Sequence, residues 1–98
     1  MKRVTYKLRV PDSVAECLCH MHPYLKKKVK SALQQIMTEP FSGKELKEEL
    51  QGLRSFRVSR FRVIYRISGK QEIELVAVGP RKTIYEETYH LIKSTKKQ

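Results

Sequence analysis

Hydrophobic residues recur at every second position in residues 4–10, a period typical of a strand with one buried face. The spacing then lengthens to that of a helix, in residues 14–21 and again in residues 25–37. The pair His22–Pro23 separates the two helical patterns, because proline is tolerated in the first turn of a helix and interrupts it elsewhere. The sequence therefore predicts a strand followed by two helices packed as a hairpin.

The next hydrophobic pattern is interleaved with arginine. Five arginines stand among alternating hydrophobic residues between positions 54 and 66: Arg54, Arg57, Arg60, Arg62 and Arg66. The alternation changes phase between Val58 and Phe61, which predicts an antiparallel hairpin with a tight turn or bulge at Ser59–Arg60. In this register Arg57, Arg62 and Arg66 point away from the core.

Three further segments complete the pattern. Residues 44–50 are predicted to form a helical turn that ends at Gly52. Residues 73–78 are almost continuously apolar, as in a central strand covered on both faces, and residues 83–94 have the spacing of a last helix. The order predicts a single domain over residues 1–98 of the α+β class. In it, an N-terminal strand and a helical hairpin precede an antiparallel β-meander, with helices packed on one sheet face.

The charge narrows the choice of partner. The chain has a formal net charge of +11 in 98 residues, which points to a polyanion: nucleic acid, an anionic membrane surface or an acidic protein. No apolar run has the length of a membrane span, and the first residues lack the continuous apolar segment of a signal peptide. We therefore expect a cytoplasmic protein that does not bind membranes. Cys17 and Cys19 are too close in sequence to staple a fold, so reduced thiols are expected.

The arginines of the hairpin have no local acidic partner, since no Asp or Glu stands between Leu50 and Gln71. The planar guanidinium binds phosphate with two parallel hydrogen bonds, which the lysine ammonium cannot do. The sheet face that does not pack on the helices is therefore predicted to bind the backbone of RNA or DNA. The alternative is a solvated strand face whose arginines serve solubility.

Four motifs follow one another in the second half of the chain: Leu50–Gly52, Phe61–Tyr65, Gly79–Arg81 and Tyr85. In this order they resemble the "LxG" turn, the "(F/Y)RVIY" strand, the Gly-x-Arg segment and the late tyrosine of the RelE/ParE toxin superfamily. The resemblance covers nearly the whole chain, and its specificity lies in the ordered set rather than in any one motif. It implies a RelE-like fold and a cognate antitoxin protein as partner.

The resemblance implies one of two activities. RelE-like members are ribosome-dependent endoribonucleases that cut mRNA in the ribosomal A site, whereas ParE-like members poison DNA gyrase. Tyr85 and the high positive charge favour the nuclease, with the ribosome and mRNA as partners and with neither metal nor other cofactor. The gyrase poison is the alternative, and a non-toxic relative is a third possibility.

The resemblance also implies roles for particular residues. In the nucleases, basic strand residues stabilise the phosphorane that forms when the ribose 2′-OH attacks the adjacent phosphate. Arg57, Arg62 and Arg81 match those positions, and Tyr85 matches a residue that stacks on a base or transfers a proton. Further RNA-binding positions are expected on the hairpin, after the apolar strand and on the second helix: Arg54, Arg60, Arg66, Lys82, Lys26, Lys27 and Lys30. The lysines of the second helix are equally consistent with a solvated face.

None of the matched residues is an evident general base for the attack of the 2′-OH. RelE enzymes with two lysines on the first hairpin strand can use one as a base, but Ser55 and Arg57 stand at those positions here. Arginine stays charged at any relevant pH and cannot accept a proton. A glutamate base is the alternative, among Glu45, Glu48 and Glu49, although these acids are better explained as partners of nearby lysines on an exposed turn.

Zinc-type ligands cluster in "CLCHMH", residues 17–22. Residues two apart on a helix point to different sides, so these side chains cannot converge without unwinding it. The sequence therefore predicts a core-facing cysteine and solvent-facing histidines in place of a metal site.

Overall fold

The computed structural model describes residues 6–69 and 71–96, with side chains as far as Lys93. Its elements are, in chain order, β1 (Lys7–Arg9), α1 (Asp12–Cys19), α2 (Pro23–Thr38), β2 (Lys44–Glu45), β3 (Arg54–Val58), β4 (Phe61–Ser68), β5 (Glu72–Pro80) and α3 (Ile84–Lys96). This order confirms the predicted strand, pair of helices, strand hairpin and last helix. Val4, which the periodicity assigned to the first strand, lies outside the described residues.

The five strands form one sheet in the order β1-β5-β4-β3-β2. The pairs β2–β3, β3–β4 and β4–β5 are antiparallel, as predicted for the meander, whereas β1 pairs with β5 in parallel and makes the sheet mixed. The apolar strand β5 lies between β1 and β4, the interior position that its continuous hydrophobic run predicts.

Helices cover both faces of the sheet. The first face is covered by α1 and α2, whose Val14, Val29 and Ile36 pack in one core with Val63 and Tyr65 of β4. The opposite face is partly covered by α3, whose Ile84 packs with Leu53 and Ile64 in a second core. The arginine-bearing face is therefore less open than the sequence predicted. In the described part of the chain, no helix is long and apolar enough to cross a membrane.

The turns follow the prediction at one place and depart from it at another. Ser59 has φ 58° in the tight turn between β3 and β4, which confirms the change of phase seen in the sequence. The helical turn predicted at 44–50 forms only at Glu48–Leu50, as one turn of 3-10 helix. Lys44–Glu45 instead pairs with Arg54–Ser55 at the sheet edge, because strand pairing satisfies backbone groups that a short isolated helix would leave open.

The ring of Tyr65 joins β4 to the loop before β2. Its hydroxyl donates to the Pro40 carbonyl oxygen at 2.6 Å and accepts from the Gly43 N–H at 3.0 Å, and the residue is 0% exposed. A Cβ added at Gly43 would overlap the Tyr65 hydroxyl, so glycine is needed for this close approach. The hydroxyl therefore satisfies two buried backbone groups at once.

Removing that hydroxyl should destabilise the fold. We expect Tyr65→Phe to lower the free energy of unfolding by about 1–3 kcal/mol, because the Pro40 carbonyl and the Gly43 N–H lose their partner. Burial raises the pKa of the Tyr65 phenol above its usual value of 10.0, so the hydrogen bond that it donates to Pro40 is present below pH 10 and is lost as the pH rises through the raised pKa. Urea denaturation at neutral and alkaline pH measures both effects. Equal stability of variant and wild type at neutral pH would contradict this role.

Candidate phosphate-binding site

Two arginines face each other across the hairpin. Arg57 of β3 is the register partner of Arg62 of β4, and Arg62 is in turn the partner of Gly79 of β5. We call this line across three strands the cationic row (Arg57, Arg62 and Gly79). Like charges directly opposite on paired strands are destabilising, so the fold gains nothing from this pair. The two guanidiniums turn to opposite ends of the hairpin, because Arg57 Nε donates to the Ser59 carbonyl oxygen at 3.4 Å in the turn, whereas Arg62 contacts Ser55. An anion bound along the row would neutralise both charges.

Ser55 positions the Arg62 guanidinium, and Tyr85 in turn positions Ser55. The Arg62 Nη1 donates to Ser55 Oγ at 3.3 Å, and Ser55 Oγ shares a hydrogen bond of 3.1 Å with the Tyr85 hydroxyl. Ser55 is only 2% exposed, so the packing around it restrains the side chain through which Arg62 and Tyr85 are linked. Among the described residues, the buried Arg62 Nε has no hydrogen-bond partner. Buried donors are normally satisfied, so Arg62 would gain a hydrogen bond if its side chain shifted to bring Nε to a bound phosphate oxygen.

A cleft beside the row brings further cations together. The turn cleft, about 380 Å³, lies between the β3–β4 turn and the end of β5 and is lined by Arg57, Ser59, Arg60, Phe61, Pro80, Arg81 and Lys82. The backbone N–H of Arg81 donates to the Arg60 carbonyl oxygen at 2.9 Å, which ties the segment after β5 to the turn. Four of the predicted basic residues therefore share one cleft, and Arg57 belongs to both the cleft and the row.

Two hairpin arginines, Arg66 and Arg54, make contacts outside the row and the turn cleft. The expectation that Arg66 is unpaired is wrong, because its Nη2 lies 2.6 Å from Oε1 of Glu74, its register partner on β5. Arg54 donates to the Gly43 carbonyl oxygen at 2.8 Å, and its guanidinium lies 4.9 Å from the centre of the exposed Phe41 ring. Neither residue lines the turn cleft.

The lysines of α2 lie on another side of the molecule. Lys26, Lys27 and Lys30 are exposed on a helix whose buried residues pack against the first sheet face. Arg62 contacts Tyr85 through Ser55 on the opposite, α3-covered face. A partner that contacted both basic surfaces would have to reach around the sheet.

The acids considered as bases lie at the β2 edge of the sheet, beside β3, which carries Arg57. Glu45, Glu48 and Glu49 are all exposed, on β2 and the following turn. In residues 6–69 and 71–93 no ion pair within 4.0 Å joins them to a lysine, so the predicted balancing pairs are not seen either. Their place at the β2 edge separates them from Gly79 by two strands.

The cysteine and histidine segment builds no metal site among the described residues. Cys17 and Cys19 are both exposed, so the prediction of a core-facing cysteine is wrong. α1 ends at Cys19, and Val14 is its only buried residue, so the short helix buries too little of its surface to enclose a thiol. His22 has a structural role, because its Nδ1 accepts from the Tyr24 N–H at 3.1 Å and caps α2.

Ser55 is the site residue that sequence reasoning missed. The resemblance to RelE enzymes marks Ser55 only as a position where their lysine is absent, yet its side chain contacts both Arg62 and Tyr85. The signal was present in the alternation, since Ser55 and Arg57 share one parity of β3 and so share one face. A small hydroxyl on that face can accept a hydrogen bond from an arginine across the hairpin.

Comparison with known proteins places the chain in a family. Residues 14–85 match the family described as ParE toxin of type II toxin–antitoxin system, parDE. A comparison with curated proteins finds no significant relative. The fold is similar to that of the RelBE2 toxin–antitoxin complex from Mycobacterium tuberculosis, with 28% identity, a TM-score of 0.72, and 82% of this chain and 95% of that chain covered.

Two further solved structures share the fold at lower identity. A free RelE toxin variant from E. coli has a TM-score of 0.72 at 16% identity and covers 92% of this chain and 97% of its own. The RelE–RelB complex from Pyrococcus horikoshii has a TM-score of 0.64 at 21% identity and covers 79% of this chain and 96% of that chain. With the family match over residues 14–85, the chain belongs to the ParE toxin family of type II toxin–antitoxin systems, within the RelE/ParE superfamily.

Proposed function

We propose that this toxin is a ribosome-dependent mRNA endonuclease that inhibits translation in the cytoplasm. The observation that carries the proposal is the cationic row, in which Arg57 faces Arg62 and the Arg62 Nε is buried without a partner among the described residues. Such an arrangement is unfavourable in the free protein and suits a bound phosphodiester. Arg81 and Lys82, in the turn cleft, add charge along the path of the backbone.

The proposed reaction is attack of a ribose 2′-OH on the adjacent phosphorus. Negative charge grows on the non-bridging phosphate oxygens as the phosphorane forms, and preorganised donors aimed at those oxygens stabilise the transition state. Arg62 and Arg57 are the donors across the hairpin, and Arg81 donates from the end of β5. The 5′-oxygen leaves, so that the products are a 2′,3′-cyclic phosphate and a 5′-hydroxyl. The ribosome contributes by holding the mRNA in one orientation, which lowers the entropic part of the barrier.

A cognate antitoxin is the second partner that we propose. The similar toxins of M. tuberculosis and P. horikoshii were solved in complexes named as toxin–antitoxin and RelE–RelB pairs. A net charge of +11 favours an acidic antitoxin segment, which would neutralise the arginines while it buries apolar surface. Such a segment would prevent mRNA from binding to the cationic row and the turn cleft.

Inhibition of DNA gyrase is the second candidate function. The observation that favours it is the family match itself, which is to the ParE toxin family. The replacement of a lysine by Arg57 also removes one candidate base of the nucleases. The positive charge, which was expected to favour the nuclease, also suits a toxin that acts on gyrase bound to DNA.

One experiment separates the two functions. Purified toxin is added to an in vitro translation reaction, and the mRNA is then mapped by primer extension, beside a gyrase supercoiling assay with the same preparation. We expect cuts confined to the codon in the ribosomal A site and normal gyrase activity. Intact mRNA with inhibited supercoiling would replace the nuclease with the gyrase poison.

A further inference from the structure

A carboxylate on α3 lies over the β5 end of the cationic row. The Glu87 Oε1 is 3.5 Å from the point where a Cβ on Gly79 would stand. Gly79 is the register partner of Arg62, and paired strand positions have their Cβ atoms about 4.5–5.5 Å apart. Glu87 therefore lies on the α3-covered face of the sheet, directly beside the strand position of Arg62.

Glycine at position 79 makes this approach possible. A Cβ there would lie 2.9 Å from the Ile84 Cδ1, a distance that side chains essentially never adopt, and Ile84 is 1% exposed in the second core. The missing side chain thus lets the first turn of α3 lie close to β5. The backbone N–H of Glu87 donates to the Thr83 carbonyl oxygen at 3.0 Å, which fixes Glu87 in that turn.

Glu87 takes part in neither of the ion pairs found among the described residues. In residues 6–69 and 71–93, the ion pairs within 4.0 Å are Arg66–Glu74 and His90–Glu86, and neither includes Glu87. The row therefore has an acceptor at its β5 end, with donors at Arg62 and Arg57. A group that both accepts a proton and lies beside phosphate-binding donors is what 2′-OH attack requires.

We propose that Glu87 is the general base of this toxin, a role that rests on the proposed nuclease function. Its carboxylate takes the proton of the attacking 2′-OH as the new bond from O2′ to phosphorus forms. The bond from phosphorus to O5′ breaks, and the leaving 5′-oxygen takes a proton from water. Arg62 and Arg57 bind the phosphate, and Glu87 lies on the β5 side of it. The Glu87 carboxylate thus serves as the base in place of the strand lysine that this chain lacks.

The test is single-turnover cleavage on programmed ribosomes by the full chain. Glu87→Gln removes the base and keeps the shape, and we expect the rate to fall on the order of a hundredfold, within the range of lost general base catalysis. Glu86→Gln is the matched control, because it makes the same change at the neighbouring residue, whose carboxylate lies 3.9 Å from the exposed His90 ring. It should cleave at the wild-type rate. Binding of both variants to mRNA with a 2′-deoxy residue at the cleavage position should not weaken.

Chemical rescue separates proton transfer from positioning. Glu87→Ala opens space at the β5 end of the row, and added imidazole should restore part of its rate, because neutral imidazole accepts a proton but carries no negative charge that could position the arginines. If Glu87→Gln cleaves like wild type, or if imidazole fails to restore Glu87→Ala, Glu87 is not the base while the nuclease stands. If wild-type toxin leaves mRNA intact on the ribosome, the nuclease and the base are both overturned.

Discussion

Replacing Arg62 or Arg81 with alanine should slow mRNA cleavage on the order of a hundredfold or more, because one lost preorganised donor costs about 2–4 kcal/mol of transition-state stabilisation. Arg62 should show the larger loss, since its guanidinium is already fixed by a hydrogen bond to Ser55. Arg81 is exposed at the turn cleft and must be ordered by the substrate. Single-turnover rates on programmed ribosomes measure both effects.

Arg66→Ala is the matched control for this experiment. Arg66 is on the same strand and the same face as Arg62, four residues further along, but its guanidinium is paired with Glu74. We expect a rate near that of wild type and little change in stability, because exposed ion pairs contribute about 0–1 kcal/mol. Lysine at position 62 should restore only part of the rate, since it lacks the planar fork. Wild-type cleavage by both alanine variants would remove Arg62 and Arg81 from the mechanism.

The fold could be predicted because its signals are local. The change of phase between Val58 and Phe61 located the β3–β4 hairpin, and the apolar run 73–78 identified a strand inside the sheet. Both patterns depend on neighbouring residues and need no knowledge of distant contacts. The parallel pairing of β1 with β5 could not be derived in this way, since it joins segments from opposite ends of the chain.

The site was harder to predict because it depends on register. The arginine-rich segment itself contains no acid, yet Glu74 pairs with Arg66 from the next strand. Ser55 and Glu87 were missed for the same reason, because Ser55 reaches Arg62 across the hairpin and Glu87 reaches β5 only through the packing of α3 on Gly79. Periodicity predicts which residues share a face, but the partner at each position follows from the alignment of the strands.

The fold also separates the basic residues into two groups. The lysines of α2 lie on the side of the first core, whereas the row and the turn cleft lie with β3, β4 and the end of β5. None of the α2 lysines lines the turn cleft. For the proposed nuclease, we therefore expect the α2 lysines to contact a large anionic assembly such as the ribosome rather than the RNA segment at the row.

Tyr85 is expected to act mainly through its ring and through the position that its hydroxyl gives to Ser55 and Arg62. The ring packs against the second core, so Tyr85→Ala removes both the packing and the hydrogen bond of 3.1 Å to Ser55 Oγ. We expect Ala to lose most of the activity, on the order of a hundredfold, in keeping with a misplaced donor. Tyr85→Phe keeps the ring and loses one neutral hydrogen bond of about 0.5–1.5 kcal/mol, so its rate should fall by about tenfold or less.

Ser55→Ala distinguishes positioning from proton donation by the Tyr85 hydroxyl. If the hydroxyl acts by holding Ser55 and through it Arg62, then Tyr85→Phe and Ser55→Ala disturb one unit. Their losses should be similar, and the double variant should be little slower than either single variant, because residues in one network are not additive. If the hydroxyl instead protonates the leaving oxygen, Tyr85→Phe alone should be as inactive as Tyr85→Ala while Ser55→Ala stays active. We expect the first result, since the Tyr85 hydroxyl already shares a hydrogen bond with the buried Ser55, which also accepts from Arg62.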